Sequence, residues 1–567
     1  MKHRLWFLVP AVLLTLLGMH YSSQVAAAAN LSLAYDLHCA VIVAFSLSGA
    51  FWLQTCGFCM PVKPLADNKN NTLQWSVIAL TAVCVGIYSF LIGMRQFAGF
   101  DHSALIDPAW RIYSGQRPYA DFPCSLPVGF YLPAFYAFKL FGVSWLSLVL
   151  ISSILAVISY IWICVLLINL FGSNARTWTL SLAIQACTTL LVGYWWYNPV
   201  TTVMGVVFFL CCVVWLRKPG SKIAFCSWTI ALLIFAACKP NIAGPTLLGS
   251  FLVLIFDSRL RGKVLIGTAV AFGVFIGILA CNHIRLTDML DGYFSVASRG
   301  FSFAQFLQDL DPREKTLSLI TLGFIILPVL LSAAPPYLSR LRCLCLLNII
   351  TGLYGFVTNG ESKLVDMPII FIAAFVWLNE AEHYSLPNYK LRRFQPVFNG
   401  IYTTLAISLI FCGVGLGWSR HRVKLAGPGS FFEYQPLGYS SAVPFFAGLK
   451  SGPFFRYTLD EVSAACRLFP NSKIFFGPRM QWGYAAMNLP APAHEPSWWH
   501  PGVSYKTEDE AVYLKNWVEA RHEVLIFLNN DYTFFSQSFL QEIVARYEGK
   551  AFNCITIFTL KKTVPVP

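Results

Sequence analysis

The sequence predicts a polytopic α-helical membrane protein of about 13 transmembrane helices with a C-terminal extracytoplasmic α/β domain. Three observations carry that expectation. Of 567 residues, 56% are hydrophobic and 12% charged, and the mean hydropathy of +0.60 lies outside the balance of soluble domains. Apolar runs of roughly 15 to 30 residues recur, matching the ~20 residues a helix needs to cross hydrocarbon, and no alternation of period two suggests a barrel. Basic residues gather in the short loops between the runs, where topology signals sit.

Residues 1–72 hold the first apolar runs, near 5–19 and 31–60. The basic head, apolar core and Ala26–Ala29 run read equally as a cleaved signal or as an uncleaved first helix. Residues 73–417 carry further runs near 73–94, 143–171, 177–193, 199–216, 223–238, 242–256, 264–281, 316–334, 344–358, 367–378 and 397–417. With Met1 cytoplasmic, alternation of sides puts Lys63, Lys69, Arg176, Arg217, Lys218, Lys222, Arg259, Arg261, Lys263, Arg340, Arg342, Lys390, Arg392 and Arg393 on the inside, as the positive-inside rule requires. Those loops account for much of the net charge of +14, so a nucleic-acid partner is not implied. The opposite face receives the loops 95–142 and 282–315 and everything after about residue 418. No phosphate-binding GxxxxGK[ST] loop occurs, which argues against direct use of ATP.

The loop 95–142 contains FDHSALIDPAWRIYSGQRPYADFP. Leu105, Ala109, Ile112 and Tyr113 recur at helical spacing after Asp101 and predict a short amphipathic helix on the membrane surface, ended by Ser114-Gly115-Gln116-Arg117-Pro118. Asp101, Asp107 and Asp121 then serve as caps, as partners of Arg111 and Arg117, or as functional carboxylates, with the ordinary role favoured for Asp107.

This stretch resembles the first extracytoplasmic loop of GT-C type glycosyltransferases that use lipid-linked sugars, the superfamily of protein O-mannosyltransferases and the aminoarabinose transferase of lipid A. The resemblance rests on an acidic residue just after a membrane helix (Asp101), an alanine eight residues on (Ala109), and Gly115-x-x-Pro118-Tyr119-x-Asp121-Phe122. It implies a GT-C-like membrane domain and a polyprenyl-phosphate sugar donor, with a glycan, lipid or protein acceptor. It gives Asp101 the catalytic role, with Asp121 in support and His102 and Tyr119 near the sugar or acceptor. His102 departs from the pattern, since many relatives carry a second acidic residue there. The chemistry asks for the same parts: a carboxylate to take the acceptor's proton and cations to stabilise the departing lipid phosphate.

Lys239 and Lys363, at outer helix ends, are candidates for that phosphate, as are Arg285 and Arg299 in the loop 282–315; interfacial snorkelling is the ordinary alternative for the lysines. Tyr194-Trp195-Trp196-Tyr197-Asn198 reads as an interfacial aromatic belt, with Asn198 a polar contact. Residues 418–567 have a soluble pattern. Capping boxes at Thr458–Glu461 and Thr507–Glu510 predict helix starts, and the runs from Lys473, Glu523 and Ile555 predict strands of a partly parallel sheet. Between them, Trp482, Trp498 and Trp499 either stack on sugar or bury themselves against the first outer loop. His494, Glu495 and His500 lack a third well-placed ligand, so no metal site is assigned and no cofactor is indicated; a divalent metal stays open. A disulfide between Cys466 and Cys554 is allowed, not indicated.

The expectation is an integral glycosyltransferase, in a bacterial inner membrane as short cytoplasmic loops suggest. A transporter or flippase of lipid-linked saccharides is the alternative. It would call for mid-membrane charges and inverted repeats, whereas here ionisable residues cluster at helix ends, Asp36 and His38 excepted.

Overall fold

The computed structural model describes residues 71–95, 97, 100–124, 126–172, 175–297, 340–358, 367–383, 438–439, 443–499, 504–529 and 535–561, with isolated positions at 323, 325, 365, 402, 405–407, 409–410 and 413–414. The runs near 5–19 and 31–60, most of 316–334 and 397–417, and the residues Arg299, Lys363 and His500 lie outside the described residues.

Helices α1 (Asn71–Gly93), α4 (Trp145–Phe171), α6 (Tyr197–Arg217) and α9 (Arg261–Cys281) are long and apolar enough to cross a membrane. Their burial differs sharply. The α6 span is 100% buried, whereas those of α1, α4 and α9 are 39%, 44% and 22% buried, so α6 is the axis of the bundle and the others offer apolar faces to lipid. Shorter helices α5 (Ala175–Cys187), α7 (Lys222–Ala236), α8 (Pro240–Ile255), α11 (Arg340–Thr358) and α12 (Met367–His383) pack around that axis. The chain is a multi-pass membrane protein.

Contacts between loops fix the two ends of the bundle. At one end Arg217 donates to the Leu170 carbonyl at 3.3 Å, Lys263 donates to the Pro219 carbonyl at 2.7 Å, and Arg259 and Arg340 hold Asp257 at 2.8 and 2.9 Å. Hydrogen bonds from Arg259 keep the Asp257 carboxyl down at about 2. These are basic loops expected to share a face, and they do. The other end gathers the starts of α4 and α6, the α7–α8 turn and the end of α9, where Asn282 accepts a hydrogen bond from Tyr136 at 3.2 Å.

Across that second end lie two helices from the loop 95–142: α2 (Phe100–Tyr113) and α3 (Val128–Phe141). The second is a helix in the part of that loop for which the sequence suggests no element. Its 14 residues, with Pro133 inside, are too few to cross hydrocarbon, yet its first residues pack inward and Gly129 donates its N–H to the Ala237 carbonyl at 3.0 Å. A Cβ at Gly129 would sit 2.4 Å from that oxygen, so only glycine permits the approach. After α9 comes α10 (Leu286–Ala297).

The C-terminal part holds a two-stranded ribbon, β1 (Gly438–Tyr439) with β2 (Lys450–Ser451), and a mixed sheet ordered β3 (Ile474–Phe476), β4 (Val524–Leu528), β6 (Ile555–Leu560), β5 (Tyr547–Ala551). β3 and β4 are parallel and the remaining pairs antiparallel. The helices are α13 (Pro453–Leu468), α14 (Trp482–Ala486), α15 (Glu510–Ala520) and α16 (Gln537–Arg546). The first capping box is corrected: α13 starts at Pro453 behind Gly452, because proline suits the first helical position. Thr458 bonds back to the Phe454 carbonyl at 2.9 Å, and Glu461 instead accepts the backbone N–H groups of Asn553, Cys554 and Ile555 at 2.9–3.2 Å, tying down the β5–β6 turn. At the second, a 3-10 turn over Thr507–Asp509 leads into α15, with no side-chain cap bond. Cys466 and Cys554 are free thiols.

Candidate active site

The α2 helix is set where the bundle end meets the C-terminal part, and residues 102–111 are all buried. It is therefore sandwiched rather than laid on a surface. Gly115, at φ +94, ends the helix in the left-handed region that glycine tolerates. Four contacts clamp it from the C-terminal side. Ser103 Oγ donates to the Arg479 carbonyl at 2.8 Å, Trp110 Nε1 to the Leu489 carbonyl at 2.9 Å, Gln116 to the Ala491 carbonyl at 2.7 Å, and Arg111 Nη1 to the Pro492 carbonyl at 2.5 Å.

Asp107 and Arg111 form the buried centre of this junction. Arg111 Nε donates to Asp107 Oδ2 at 2.8 Å, with both side chains essentially without solvent. The guanidinium also lies over the Phe122 ring at 5.1 Å. Burial pushes the Asp107 carboxyl up to about 6, outweighing the Arg111 charge beside it. Deeper in the C-terminal part, His522 Nε2 and Glu495 Oε1 lie 2.6 Å apart and are likewise buried. Asp107 is thus an ion-pair partner, as its spacing predicts.

Asp101 stands in the first turn of α2; its side chain lies outside the described part of the structure. Its neighbour His102 is 1% exposed. The imidazole stacks on Phe97 with ring centres 4.9 Å apart, and its centre lies 4.1 Å from that of Tyr194, 5.1 Å from that of Trp145 and 6.4 Å from that of Trp196. Burial holds its pKa down at about 3, so the ring is neutral at neutral pH. His102 is a packing residue with no face open to a sugar, which corrects its assignment as an acceptor contact.

The belt residues continue the cluster. Tyr197 lies against Trp196 at 4.4 Å, and Lys239 Nζ sits 5.0 Å over the Tyr197 ring and donates to Asn198 Oδ1 at 3.1 Å. Asn198 and Lys239, predicted separately, are therefore partners, at the first turn of α6 and the N-cap of α8. An unbroken run of ring contacts connects the first turn of α2 to this lysine.

Asp121 lies in the turn between α2 and α3. It accepts the Arg117 backbone N–H at 2.7 Å and pairs with the Arg117 guanidinium at 3.4 Å, and the backbone bond lowers its pKa. Its carbonyl accepts the His494 N–H at 2.6 Å. Tyr119, at φ +65, has its hydroxyl 3.4 Å from that of Tyr131, and α10 approaches so closely that a Cβ at Gly292 would sit 2.7 Å from the Tyr119 ring. Arg285 is exposed in the turn before α10.

The tryptophans divide. Trp482 is 1% exposed, edge-on to Phe97, Phe446 and Phe455 at 5.4–6.0 Å. Trp499 is equally buried against Phe539 at 4.8 Å. Neither ring has a free face for a sugar, which corrects that expectation. Trp498 is half-buried. No group of three His, Cys, Asp or Glu residues that could hold a metal occurs among the described residues. A groove of about 400 Å³ lined by Val143, Pro444, Phe445, Ser463 and Met487 is separate from the α2 first turn.

Sequence reasoning missed Trp145, Ser103 and Arg479. Trp145, buried at the start of α4, donates Nε1–H to the Gly93 carbonyl at 3.0 Å; nothing local marks it apart from other interfacial tryptophans.

No family model and no curated protein sequence matches the chain. Among solved structures it is similar to ArnT from Cupriavidus metallidurans bound to undecaprenyl phosphate, at 13% identity over 88% of this chain and 100% of that one, with a TM-score of 0.47. It is also similar to the Archaeoglobus fulgidus oligosaccharyltransferase (12% identity, 80% and 68% coverage, TM-score 0.36). A third likeness is to the arabinosyltransferase EmbB from Mycobacterium smegmatis (13% identity, 81% and 43% coverage, TM-score 0.36).

Proposed function

We propose that the chain is an integral membrane glycosyltransferase of GT-C type that moves a sugar from a polyprenyl-phosphate donor to an acceptor on the extracytoplasmic face of a bacterial inner membrane. The observation that supports this best is the convergence of the α2 first turn, the aromatic run 194–198 and Lys239 at the bundle end opposite the basic loops. A lipid donor needs apolar walls for its tail, a cation for its phosphate and a carboxylate for the acceptor's proton.

In this reading Asp101 is the general base. It takes the acceptor hydroxyl's proton as the oxygen attacks the anomeric carbon and the bond from that carbon to the lipid phosphate oxygen breaks. Lys239 stabilises the phosphate that leaves, and Asn198 fixes the ammonium through its hydrogen bond. Lys363, Arg285 and Arg299 are further phosphate contacts. Asp121 holds the Arg117–Asp121 turn in shape and orients the acceptor with Tyr119. About 13 spans, a cytoplasmic N-terminus and a soluble unit over residues 418–567 complete the proposal.

The test is transfer by purified protein in bilayers across a panel of polyprenyl-phosphate sugars. Transfer from at least one donor, lost in Lys239→Met through a raised donor KM, is expected. Absence of transfer from every donor, with movement of lipid-linked saccharide between leaflets, would favour a flippase.

A further inference from the structure

The turn between β3 and α14 is Gly477-Pro478-Arg479-Met480, closed by the Met480 N–H donating to the Gly477 carbonyl at 3.0 Å. Pro478 fixes a negative φ at the second position, and Arg479 at the third has φ +69. That is the pattern of a type II turn, whose third position favours glycine because a Cβ there crowds the backbone. The chain keeps its longest cationic side chain where glycine would fold more easily. Strain of this kind gathers at functional sites.

A second, independent observation says where the turn is held. Ser103 of α2 donates Oγ–H to the Arg479 carbonyl at 2.8 Å and accepts the Trp482 N–H at 3.4 Å. Ser103 is buried and lies two residues from Asp101. Trp482 secures the same turn by packing on Phe97, which stacks on His102. Arg479 itself is half-buried, at the rim of the junction and not in its core.

We propose that Arg479 is a phosphate-binding residue of the active site, delivered by the C-terminal part onto the first turn of α2. The proposal rests on the glycosyltransferase reading. A guanidinium presents a planar fork of donors that matches two phosphate oxygens at once, where a lysine offers only a point charge. The phosphate is the donor lipid's or one carried by the acceptor; the chemistry of recognition is the same. The site is then complete only while the junction between α2 and residues 477–499 is closed.

The test uses the full chain in nanodiscs, with polyprenyl phosphate and neutral polyprenol as probes, read by tryptophan fluorescence. Wild type is expected to bind the phosphate at least tenfold more tightly than the alcohol. Arg479→Gly should lose that preference while melting at or above the wild-type temperature, because glycine relieves the turn; Arg479→Lys should restore part of it. Preserved lipid binding with a severalfold rise in acceptor KM would assign Arg479 to an acceptor phosphate instead, and also supports the proposal. Wild-type affinity in both Arg479→Gly and Arg479→Gln, with neither KM moved, overturns it. Lipid binding is read without turnover, so a chain with no transfer activity would sink the glycosyltransferase reading while the lipid arm still decides whether Arg479 holds the lipid phosphate.

Discussion

Asp107 with Arg111 and Asp121 with Arg117 are carboxylate–arginine pairs at one spacing, four residues, within the stretch 100–123, and their surroundings make them opposites. The first is sealed in the junction. The second has its carboxylate 26% and its guanidinium 59% exposed. Burial pushes the Asp107 carboxyl up to about 6, and the Arg117 backbone hydrogen bond lowers that of Asp121. Spacing alone therefore says which residues meet, and desolvation decides what the meeting does. The buried pair fastens two parts of the molecule together, while the exposed pair shapes a turn that a ligand could reach.

The largest way to break this contrast is Arg111→Ala. It strips the Pro492 and Glu495 carbonyls of a donor and leaves Asp107 alone, at a cost of roughly 3 kcal/mol, the low end for a broken buried pair because the carboxyl can take up a proton. Unfolding in bilayers and protease cutting within 480–499 measure it; unchanged stability would contradict the fastening role. Next, His522→Ala should cost about 1–3 kcal/mol by leaving the Glu495 carboxylate buried without its partner. Arg117→Ala should stay within about 1 kcal/mol, as exposed pairs do, and a larger loss would erase the distinction.

Acidity sharpens the same contrast. Asp107, raised from 3.8 to about 6, contributes stability that is fully present below 3.8 and lost as pH rises through about 6. Asp121, lowered, contributes stability present above its ordinary value and lost as pH falls through the lowered one. Between pH 4 and 7 the unfolding midpoint of wild type minus that of Asp107→Asn should therefore fall, and the same difference for Asp121→Asn should stay flat.

Local chemistry made α2 legible. Asp101, the helical spacing of Leu105, Ala109 and Ile112, and the Ser114-Gly115 stop give its bounds, and the basic loops reveal one end of the bundle through electrostatics alone. The helix α3 was hidden because 14 mostly apolar residues with an internal proline match neither a span nor a surface helix. Thr458 looked like a cap, yet Pro453 had already started α13. The pairing of Asn198 with Lys239 joins residues on different helices, and that of Ser103 with Arg479 spans 376 positions; no periodicity encodes such contacts. The tryptophans of 482–499 carried two readings, and burial decided for packing at Trp482 and Trp499.

The central claim is that Asp101 does chemistry while Asp107, six residues along the same helix, holds the junction. Single-turnover transfer by Asp101→Asn, with donor affinity measured in parallel on purified protein in bilayers, tests this most directly. A rate loss of about 10²-fold or more with donor affinity retained is expected for a general base. Transfer at the wild-type rate would contradict it.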